Sequence, residues 1–214
     1  MGQIFHSKLL KQWIKPNYLD QSFIESLQGK FCQRLPFPHL ELPSFFLESK
    51  IKELRQALGQ EQFLLKESDL FKFRQTADFK ILKHNKVLQQ FRAFLSGHEF
   101  IQFLSNITSQ DLQENKIDMF GTLYQDTNFL LCHDDQLEGR KIAYFLYLSD
   151  MDQEDGGSLN LFARKNGVPD TVNVQILPTY NTFACFLVSE KSFHEVAEVV
   201  TDTARITITG WFYD

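Results

Sequence analysis

The chain has 214 residues, of which 43% are hydrophobic, and a formal net charge of -5 at pH 7. A chain of this length can bury one substantial hydrophobic core, so we expect residues 1–214 to form a single domain. Lys and Arg nowhere form a block. Because phosphate binding depends on clustered positive charge, this disfavours nucleic acid as a direct partner. A basic protein partner fits the negative net charge better.

The amino-terminal segment has no apolar run that would suit a signal peptide, and His6 stands where myristoylation of Gly2 would need Ser or Thr. The longest apolar stretches are of strand length and too short to cross a membrane. Cys32, Cys132 and Cys185 are odd in number and far apart, so we interpret them as buried, reduced thiols. We therefore expect an intracellular, cytoplasmic protein without membrane association, present also in the nucleus if the source is eukaryotic.

The first 115 residues carry mainly helical patterns. Apolar residues at helical spacing precede Gly29, Gly59 and Gly97, and a glycine at such a position commonly ends a helix. A further amphipathic helix is predicted over residues 100–107. The proline-rich segment PFPHLELPSFF between the first two helices would suit an edge strand or an extended entry into the fold.

From about residue 116 onward, short β-rich runs alternate with turn-like segments. The eight runs are IDMFGTLY, NFLLCHD, KIAYFLYL, GSLNLF, TVNVQI, NTFACFLV, FHEVAEVV and RITITGWFY. The connections leave little room for crossover helices, which favours an antiparallel sandwich or barrel. The sequence thus predicts an α+β protein in which residues 1–115 form a mainly helical support and residues 116–214 form the β core. We expect its many phenylalanines to fill that core.

Three residues in the β-rich half could bind one metal ion. His133 and Asp135 stand two positions apart in LCHDDQLEGR, and in a strand their side chains would share one face while that of Asp134 points away. His194 follows 61 residues after His133, and antiparallel pairing can bring its strand alongside the first. Two imidazoles and one carboxylate form the facial triad of non-haem Fe(II) oxygenases, although zinc accepts the same ligands.

Arg205 opens the last β-rich run, eleven residues after His194. By alternation Arg205, Thr207, Thr209 and Trp211 share one face of that strand. A guanidinium on the interior face of an apolar strand is unfavourable unless it meets an anion, and its planar fork suits a carboxylate. Each of these residues alone is common by chance, but their order and spacing together indicate a metal site beside a dicarboxylate site.

At these residues the chain resembles the prolyl-hydroxylase branch of the Fe(II)- and 2-oxoglutarate-dependent oxygenases, and more closely the ribosomal prolyl 3-hydroxylases. The similarity runs from about residue 36 to the end of the chain. It includes DLFKFRQTADF, IDMFGTLYQDTNFLLCHDDQLEGRKIAYFLYL, DGGSLNLF, SFHEVAEV and RITITGWFYD, in the order of the family's catalytic domain. The resemblance implies a double-stranded β-helix core, which is a jelly-roll of the cupin type.

The resemblance also implies cofactors and their ligands. His133, Asp135 and His194 would bind Fe(II), and Arg205 would hold the distal carboxylate of 2-oxoglutarate. O2 would be the second co-substrate, and ascorbate is a further candidate cofactor. Oxidative decarboxylation of 2-oxoglutarate to succinate would accompany hydroxylation of an unactivated C–H bond.

Further residues match the family around the pocket. Tyr147 and Thr209 would assist Arg205 in binding the co-substrate, and Tyr124 would line the pocket near the metal. Arg140 and Trp211 would contact the substrate. For the two tyrosines, a place in the core with the hydroxyl satisfied elsewhere is an alternative interpretation.

The substrate implied by the resemblance is a proline of the small-subunit ribosomal protein at the decoding centre, hydroxylated at C3. Eukaryotic relatives carry a second β-helix domain, so this chain is either a naturally single-domain relative or a truncated catalytic domain. Three alternatives stay open: a prolyl hydroxylase of a translation or transcription factor, a non-catalytic β-helix module that binds a partner, and a nucleic-acid demethylase, which the missing basic patch disfavours.

Overall fold

The computed structural model describes residues 7–214, so the expectation concerning Gly2 and His6 lies outside the described residues. The described helices are α1 (Lys8–Trp13), α2 (Gln21–Gln33), α3 (Glu48–Leu58), α4 (Lys86–Ser96) and α5 (His98–Thr108). The described strands are β1 (His39–Leu42), β2 (Leu64–Ser68), β3 (Phe71–Gln75), β4 (Ile117–Tyr124), β5 (Phe129–His133), β6 (Arg140–Tyr147), β7 (Leu159–Lys165), β8 (Val168–Ile176), β9 (Phe183–Leu187), β10 (His194–Val196) and β11 (Arg205–Tyr213). Within residues 7–214, no helix has the length and apolar character needed to cross a membrane.

Three helices form where the apolar periodicity predicts them. Gly59 directly follows the last residue of α3 and Gly97 that of α4, as expected, and α5 begins right after Gly97. The side chain of Asn85 accepts a hydrogen bond from the main-chain N–H of Leu88, which satisfies one of the free donors at the start of α4. Helix propensity, capping and burial therefore agree in this part of the chain.

The predicted end of α2 at Gly29 was wrong. The helix continues to Gln33, because Phe31 extends the buried stripe formed by Ile24 and Leu27. An exposed glycine inside a helix costs about 1 kcal/mol relative to alanine, which such burial can offset. Cys32, one position beyond Phe31, is exposed, so the expectation that all three cysteines are buried was also wrong.

The strands form one antiparallel sheet that is nearly closed into a barrel. We call β1-β9-β6-β11-β4 the major wall and β5-β10-β7-β8 the minor wall. Strand β3 pairs with both β4 and β5 and so joins the two walls. The eight runs predicted in the second half correspond to β4–β11, and the architecture is the expected double-stranded β-helix.

Three strands come from the first 115 residues. β1 pairs with β9 at the sheet edge, as expected for the proline-rich segment. Strands β2 and β3 form a hairpin that the sequence did not predict. All residues of β2 are exposed, so the strand carries none of the apolar alternation that marks a half-buried strand. The segment before residue 116 therefore contributes part of the sheet as well as its helical support.

The helices and the major wall share one hydrophobic core, which includes residues from Leu10 in α1 to Phe212 in β11. Aromatic rings fill it, as predicted: Phe183 of the wall stacks on Phe45 with ring centroids 5.3 Å apart and meets Phe100 of α5 edge to face at 6.1 Å. The other face of the major wall is turned toward the minor wall. The helices thus cover one side of the sheet and leave the space between the walls for a site.

Candidate metal and co-substrate site

A cavity of about 210 Å³ lies between the two walls. Aromatic side chains of the major wall and of β3 line it, among them Phe73, Phe120 and Phe145. Its polar lining includes the three residues predicted to bind a metal, together with Arg205. The cavity therefore combines an apolar wall with a few convergent polar groups, as is typical of small-molecule sites.

His133, Asp135 and His194 lie together at this cavity. One potential ligand atom from each lies within 4.8 Å of the others. The Nε2 atoms of His133 and His194 are 3.3 Å and 3.4 Å from the two carboxylate oxygens of Asp135. His133 and His194 are direct cross-strand partners of β5 and β10, so sheet register brings together two residues that are distant in sequence.

Hydrogen bonds fix the orientation of both histidine rings. Nδ1 of His133 lies 2.9 Å from the carbonyl oxygen of Leu131, and Nδ1 of His194 lies 2.7 Å from that of Ser192. A carbonyl oxygen accepts but cannot donate, so each Nδ1 carries a proton, and Nε2 is the ring nitrogen left to bind a metal. Phe186 packs against His194 at 4.5 Å, whereas the side chain of His133 is 32% exposed. The cluster is therefore open on the side of His133.

Asp135 reaches the cluster by a route that the sequence did not predict. Strand β5 ends at His133, and Asp135 has a left-handed backbone with φ 63°, so it does not share a strand face with His133. Asp tolerates this conformation better than most residues. The neighbouring Asp134 carboxylate accepts a hydrogen bond from the main-chain N–H of Gln136 at 3.1 Å. As predicted, the side chain of Asp135 joins the cluster and that of Asp134 does not, but the cause is the backbone conformation after the end of β5 and not strand alternation.

The carboxylate of Asp135 is strongly stabilised in its charged form. Its burial would raise the pKa, but hydrogen bonds to His133 and His194 outweigh that effect and hold the pKa well below its usual range. Burial also acts on His133, where the hydrogen bond to Asp135 prevails and raises the pKa. A charged carboxylate beside two imidazoles is a donor set that fits Fe(II).

Arg205 is buried, with 1% of its surface exposed. Its Nε and Nη2 atoms have no hydrogen-bond partner among residues 7–214. The rings of Tyr124 and Tyr147 flank the guanidinium, with their centroids 5.1 Å and 5.2 Å from Cζ. Aromatic faces stabilise a cation only in part, and a buried guanidinium with free N–H groups calls for an anion. These orphaned donors fit a carboxylate of 2-oxoglutarate.

Tyr124 and Tyr147 keep their protons. Burial raises the pKa of both phenols against the opposing effect of the Arg205 charge, and for Tyr147 the pKa is raised to about 12. Tyr124 lines the cavity, whereas Tyr147 is fully buried behind it. The Tyr147 hydroxyl has no hydrogen-bond partner within the described residues, so the alternative of a core tyrosine satisfied elsewhere does not apply to it.

A row of free hydroxyls beside Arg205 was missed at the sequence level. Thr207 of β11 pairs with Thr122 of β4 on one side and with Tyr147 of β6 on the other. All three hydroxyls are buried and lack a partner in the part of the chain that the structure describes. The alternation of β11 already placed Thr207 on the Arg205 face, but threonines are common in strands and the register of three strands was needed to single out this row.

The remaining predicted site residues take different positions. Thr209 lines the cavity, but its hydroxyl donates to the carbonyl oxygen of Tyr144 at 2.6 Å, so its proton is already used. Trp211 lines the cavity and donates from Nε1 to Oδ2 of Asp135 at 2.9 Å. Arg140 lies on the Trp211 ring, with Cζ 3.4 Å from the ring centroid. Their roles as co-substrate or substrate ligands stay predictions.

Comparison with known protein families identifies the second half of the chain. Residues 119–213 match the model of the 2OG-Fe(II) oxygenase superfamily. The matched segment contains all three candidate metal ligands and Arg205. The family's name specifies the same metal and co-substrate that the donor set and the orphaned guanidinium fit.

Two curated relatives are similar over most of the chain. It is 39% identical over 185 residues to prolyl 3-hydroxylase OGFOD1 of Xenopus laevis, which covers 84% of this chain and 35% of that protein. It is 36% identical over 211 residues to prolyl 3,4-dihydroxylase OGFOD1 of Ostreococcus tauri, with 89% of this chain and 40% of the relative covered. The chain thus spans well under half the length of these relatives.

A solved structure supports the fold. A prolyl hydroxylase from Trichoplax adhaerens, determined in complex with a hypoxia inducible factor oxygen degradation domain peptide fragment, superimposes with a TM-score of 0.69. The match covers 90% of this chain and 91% of that chain at 16% sequence identity. At this identity, the similarity concerns the double-stranded β-helix architecture alone.

Proposed function

Since residues 119–213 match the 2OG-Fe(II) oxygenase superfamily, we propose that the chain hydroxylates a prolyl residue of a protein, with Fe(II), 2-oxoglutarate and O2. One observation carries the proposal: the cluster of His133, Asp135 and His194 shares a cavity with the buried, unpartnered Arg205. A metal site alone would be compatible with zinc, and a buried arginine alone with a structural anion. Together they match an enzyme that binds a metal and a dicarboxylate side by side.

The proposed ligands act by position and by protonation state. Bound Fe(II), with 2-oxoglutarate and O2, supplies the chemistry that oxidises an unactivated C–H bond. His133 and His194 would bind the metal through Nε2, because carbonyl oxygens hold their Nδ1 protons, and Asp135 offers a charged carboxylate. The exposed side of His133 would remain open to co-substrate and substrate.

Arg205 would bind the distal carboxylate of 2-oxoglutarate through its free Nε and Nη2 groups. The protonated phenol of Tyr147 and the hydroxyl of Thr207 are further donors next to it. Tyr124 closes the other side of the guanidinium and stacks on Phe73 at 5.0 Å, which keeps the pocket apolar and excludes water. Charge-assisted hydrogen bonds are stronger in such an environment than in water.

For the substrate, we propose the proline of the small-subunit ribosomal protein at the decoding centre, hydroxylated at C3. The name of the Xenopus laevis relative states prolyl 3-hydroxylation, and that of the Ostreococcus tauri relative states 3,4-dihydroxylation. The net charge of -5 suits a basic protein partner. Such a substrate would place the enzyme in the cytoplasm, and in a eukaryote also in the nucleus.

The test combines substrate and co-substrate readouts. The purified chain, Fe(II), 2-oxoglutarate and ascorbate are incubated in air with small ribosomal subunits, and the ribosomal proteins are weighed by intact mass spectrometry. We expect a gain of about 16 Da per hydroxyl group on the decoding-centre protein, which is one oxygen atom. We expect succinate in equal amount. Peptides that carry prolines of candidate translation and transcription factors serve as competing substrates.

The controls separate the alternatives. His133→Ala should abolish both succinate and the mass gain, since it removes one of three metal ligands. Succinate without a mass gain on the ribosomal protein would discard this substrate but keep the enzyme. If neither product forms while the protein still binds a candidate partner, the chain is a non-catalytic binding module.

A further inference from the structure

The three candidate metal ligands are not held equally by the backbone. His133 and His194 lie on paired strands, and each ring is fixed by a carbonyl oxygen two residues earlier. Asp135 lies beyond the end of β5 with a left-handed backbone, outside the sheet ladder. Its carboxylate therefore depends on side-chain contacts for its position.

Trp211 supplies such a contact from a rigid element. It lies on β11, an inner strand of the major wall, which pairs with β4 and β6 along most of their length. Its indole Nε1 donates to Oδ2 of Asp135 at 2.9 Å. An indole N–H has a single donor and no acceptor, so this bond fixes one carboxylate oxygen in a defined direction.

Arg140 contacts the face of the Trp211 indole. Its guanidinium stacks on the Trp211 ring with Cζ 3.4 Å from the centroid, and Nη1 lies 3.7 Å from Oδ1 of Asp135. The Arg140 side chain is 14% exposed and that of Asp135 is 8% exposed, so the interaction is shielded from water. Arg140, Trp211 and Asp135 thus form a stacked cluster, with a cation and an indole N–H directed toward the two carboxylate oxygens.

We propose that Trp211 is a positioning residue for the metal ligand Asp135, and that Arg140 clamps the indole in the orientation that this requires. The proposal rests on the proposed function, because it takes Asp135 as a metal ligand. It assigns to Trp211 and Arg140 a role within the metal centre, in addition to the substrate contacts predicted from the sequence. Hydrogen-bond partners of metal ligands commonly change metal affinity by roughly 10- to 100-fold when they are removed.

Trp211→Phe separates the two roles. Phenylalanine keeps an aromatic surface for a substrate and for Arg140 but loses the N–H that reaches Asp135. We expect the affinity for Co(II) or Mn(II), used in place of Fe(II) and measured by calorimetry without substrate, to fall roughly 10- to 100-fold. We also expect a shifted visible spectrum of the Co(II) form. A substrate platform alone would leave both readouts as in the wild type.

A fluorescence measurement tests the same contact in an intact cluster. The chain has two tryptophans, and the other, Trp13, stacks on Phe94 in the helical core at 4.9 Å, away from the cavity. In Trp13→Phe, the emission of Trp211 should respond to Co(II). In Trp211→Phe, the remaining emission should not respond.

The outcomes are distinguishable from a failure of the proposed function. If Trp211→Phe binds metal within a factor of two of the wild type, as judged in a folded variant, the positioning role is overturned. If the emission of Trp13→Phe is insensitive to metal while metal binds, the role is overturned as well. If His133→Ala binds metal as the wild type does, the metal centre itself is misassigned and the proposed function falls with it.

Discussion

Replacing Arg205 by lysine is the sharpest test of the co-substrate site. Lysine keeps the positive charge but replaces a planar fork of donors by a single ammonium group. In the structure, both Nε and Nη2 of Arg205 are free of partners within residues 7–214, so two N–H groups are available to one carboxylate. Arg205→Lys therefore removes at least one charge-assisted hydrogen bond to 2-oxoglutarate while preserving the electrostatic attraction.

The expected loss follows from the energy of one such bond. A hydrogen bond to a charged group contributes about 1.5–3 kcal/mol, which corresponds to a roughly 10- to 150-fold weaker affinity for 2-oxoglutarate. The upper part of that range is favoured by the burial of Arg205 between Tyr124 and Tyr147, because the shorter ammonium group must leave a buried N–H site unfilled. The affinity for the metal should change little, since Arg205 is not among the clustered ligands.

The assay is calorimetric titration of the Mn(II)-loaded protein with 2-oxoglutarate in the absence of substrate. Arg164→Lys is the matched control, because the Arg164 side chain is partly exposed and pairs with Glu190 on the surface at 2.8 Å. Its effect on the affinity for 2-oxoglutarate should be negligible. An unchanged affinity in Arg205→Lys would mean that a different group holds the distal carboxylate, and the assignment of Arg205 would be refuted.

Other perturbations test the turn after β5, the hydroxyl row and two glycines. Asp134→Asn should keep its affinity for the metal, because asparagine can still accept the hydrogen bond from the main-chain N–H of Gln136. Asp135→Asn should lose most of that affinity, because Asp135 is one of the clustered ligands. Calorimetry with Mn(II) compares the two variants. Thr207→Val should weaken 2-oxoglutarate binding roughly 2- to 13-fold by loss of one hydrogen bond from a neutral donor, of about 0.5–1.5 kcal/mol, and equal affinity would exclude it as a donor. Gly29 lies in a helix with open space around it, so Gly29→Ala should raise the free energy of unfolding by about 1 kcal/mol. Gly156 has a φ of 74° and a carbonyl oxygen where a Cβ would lie, so Gly156→Ala should lower the free energy of unfolding by more than about 1 kcal/mol. Urea titrations measure both.

The sequence predicted those parts of the fold that rest on local patterns. The alternation in RITITGWFY correctly placed Arg205, Thr209 and Trp211 on the face that lines the cavity, because that strand is apolar on its other face and its register is thereby fixed. The hairpin of β2 and β3 was missed, since the exposed residues of β2 carry no burial pattern. The length of α2 was missed because tertiary burial of Phe31 overrides the local preference of Gly29.

The candidate site was predictable in its members but not in its geometry. The spacing of His133, Asp135 and His194 suggested a cluster, and their ligand atoms do lie together. The reason given for Asp135 was wrong, because a left-handed residue beyond a strand end leaves no periodic signal. Thr122 could not be singled out, since its significance depends on which residues of β11 and β6 lie across from it.

Several exceptions to the local rules of folding lie on one face of the sheet, around the cavity. Arg205, Thr207 and Tyr147 bury unsatisfied donors, and Asp135 nearby adopts a left-handed backbone, whereas the opposite face of the same strands packs as an ordinary apolar core. Buried donors without partners lower the stability of the free protein, and a dicarboxylate that satisfies them removes this penalty on binding. The ligand should therefore stabilise the fold in proportion to its affinity, through preferential binding to the native state. We expect the melting temperature of the wild type to rise with 2-oxoglutarate concentration and that of Arg205→Met to stay constant. This result would show that the unsatisfied donors, which destabilise the free protein, bind the ligand. If Arg205→Met kept the full rise, the orphaned guanidinium would have no part in binding the ligand.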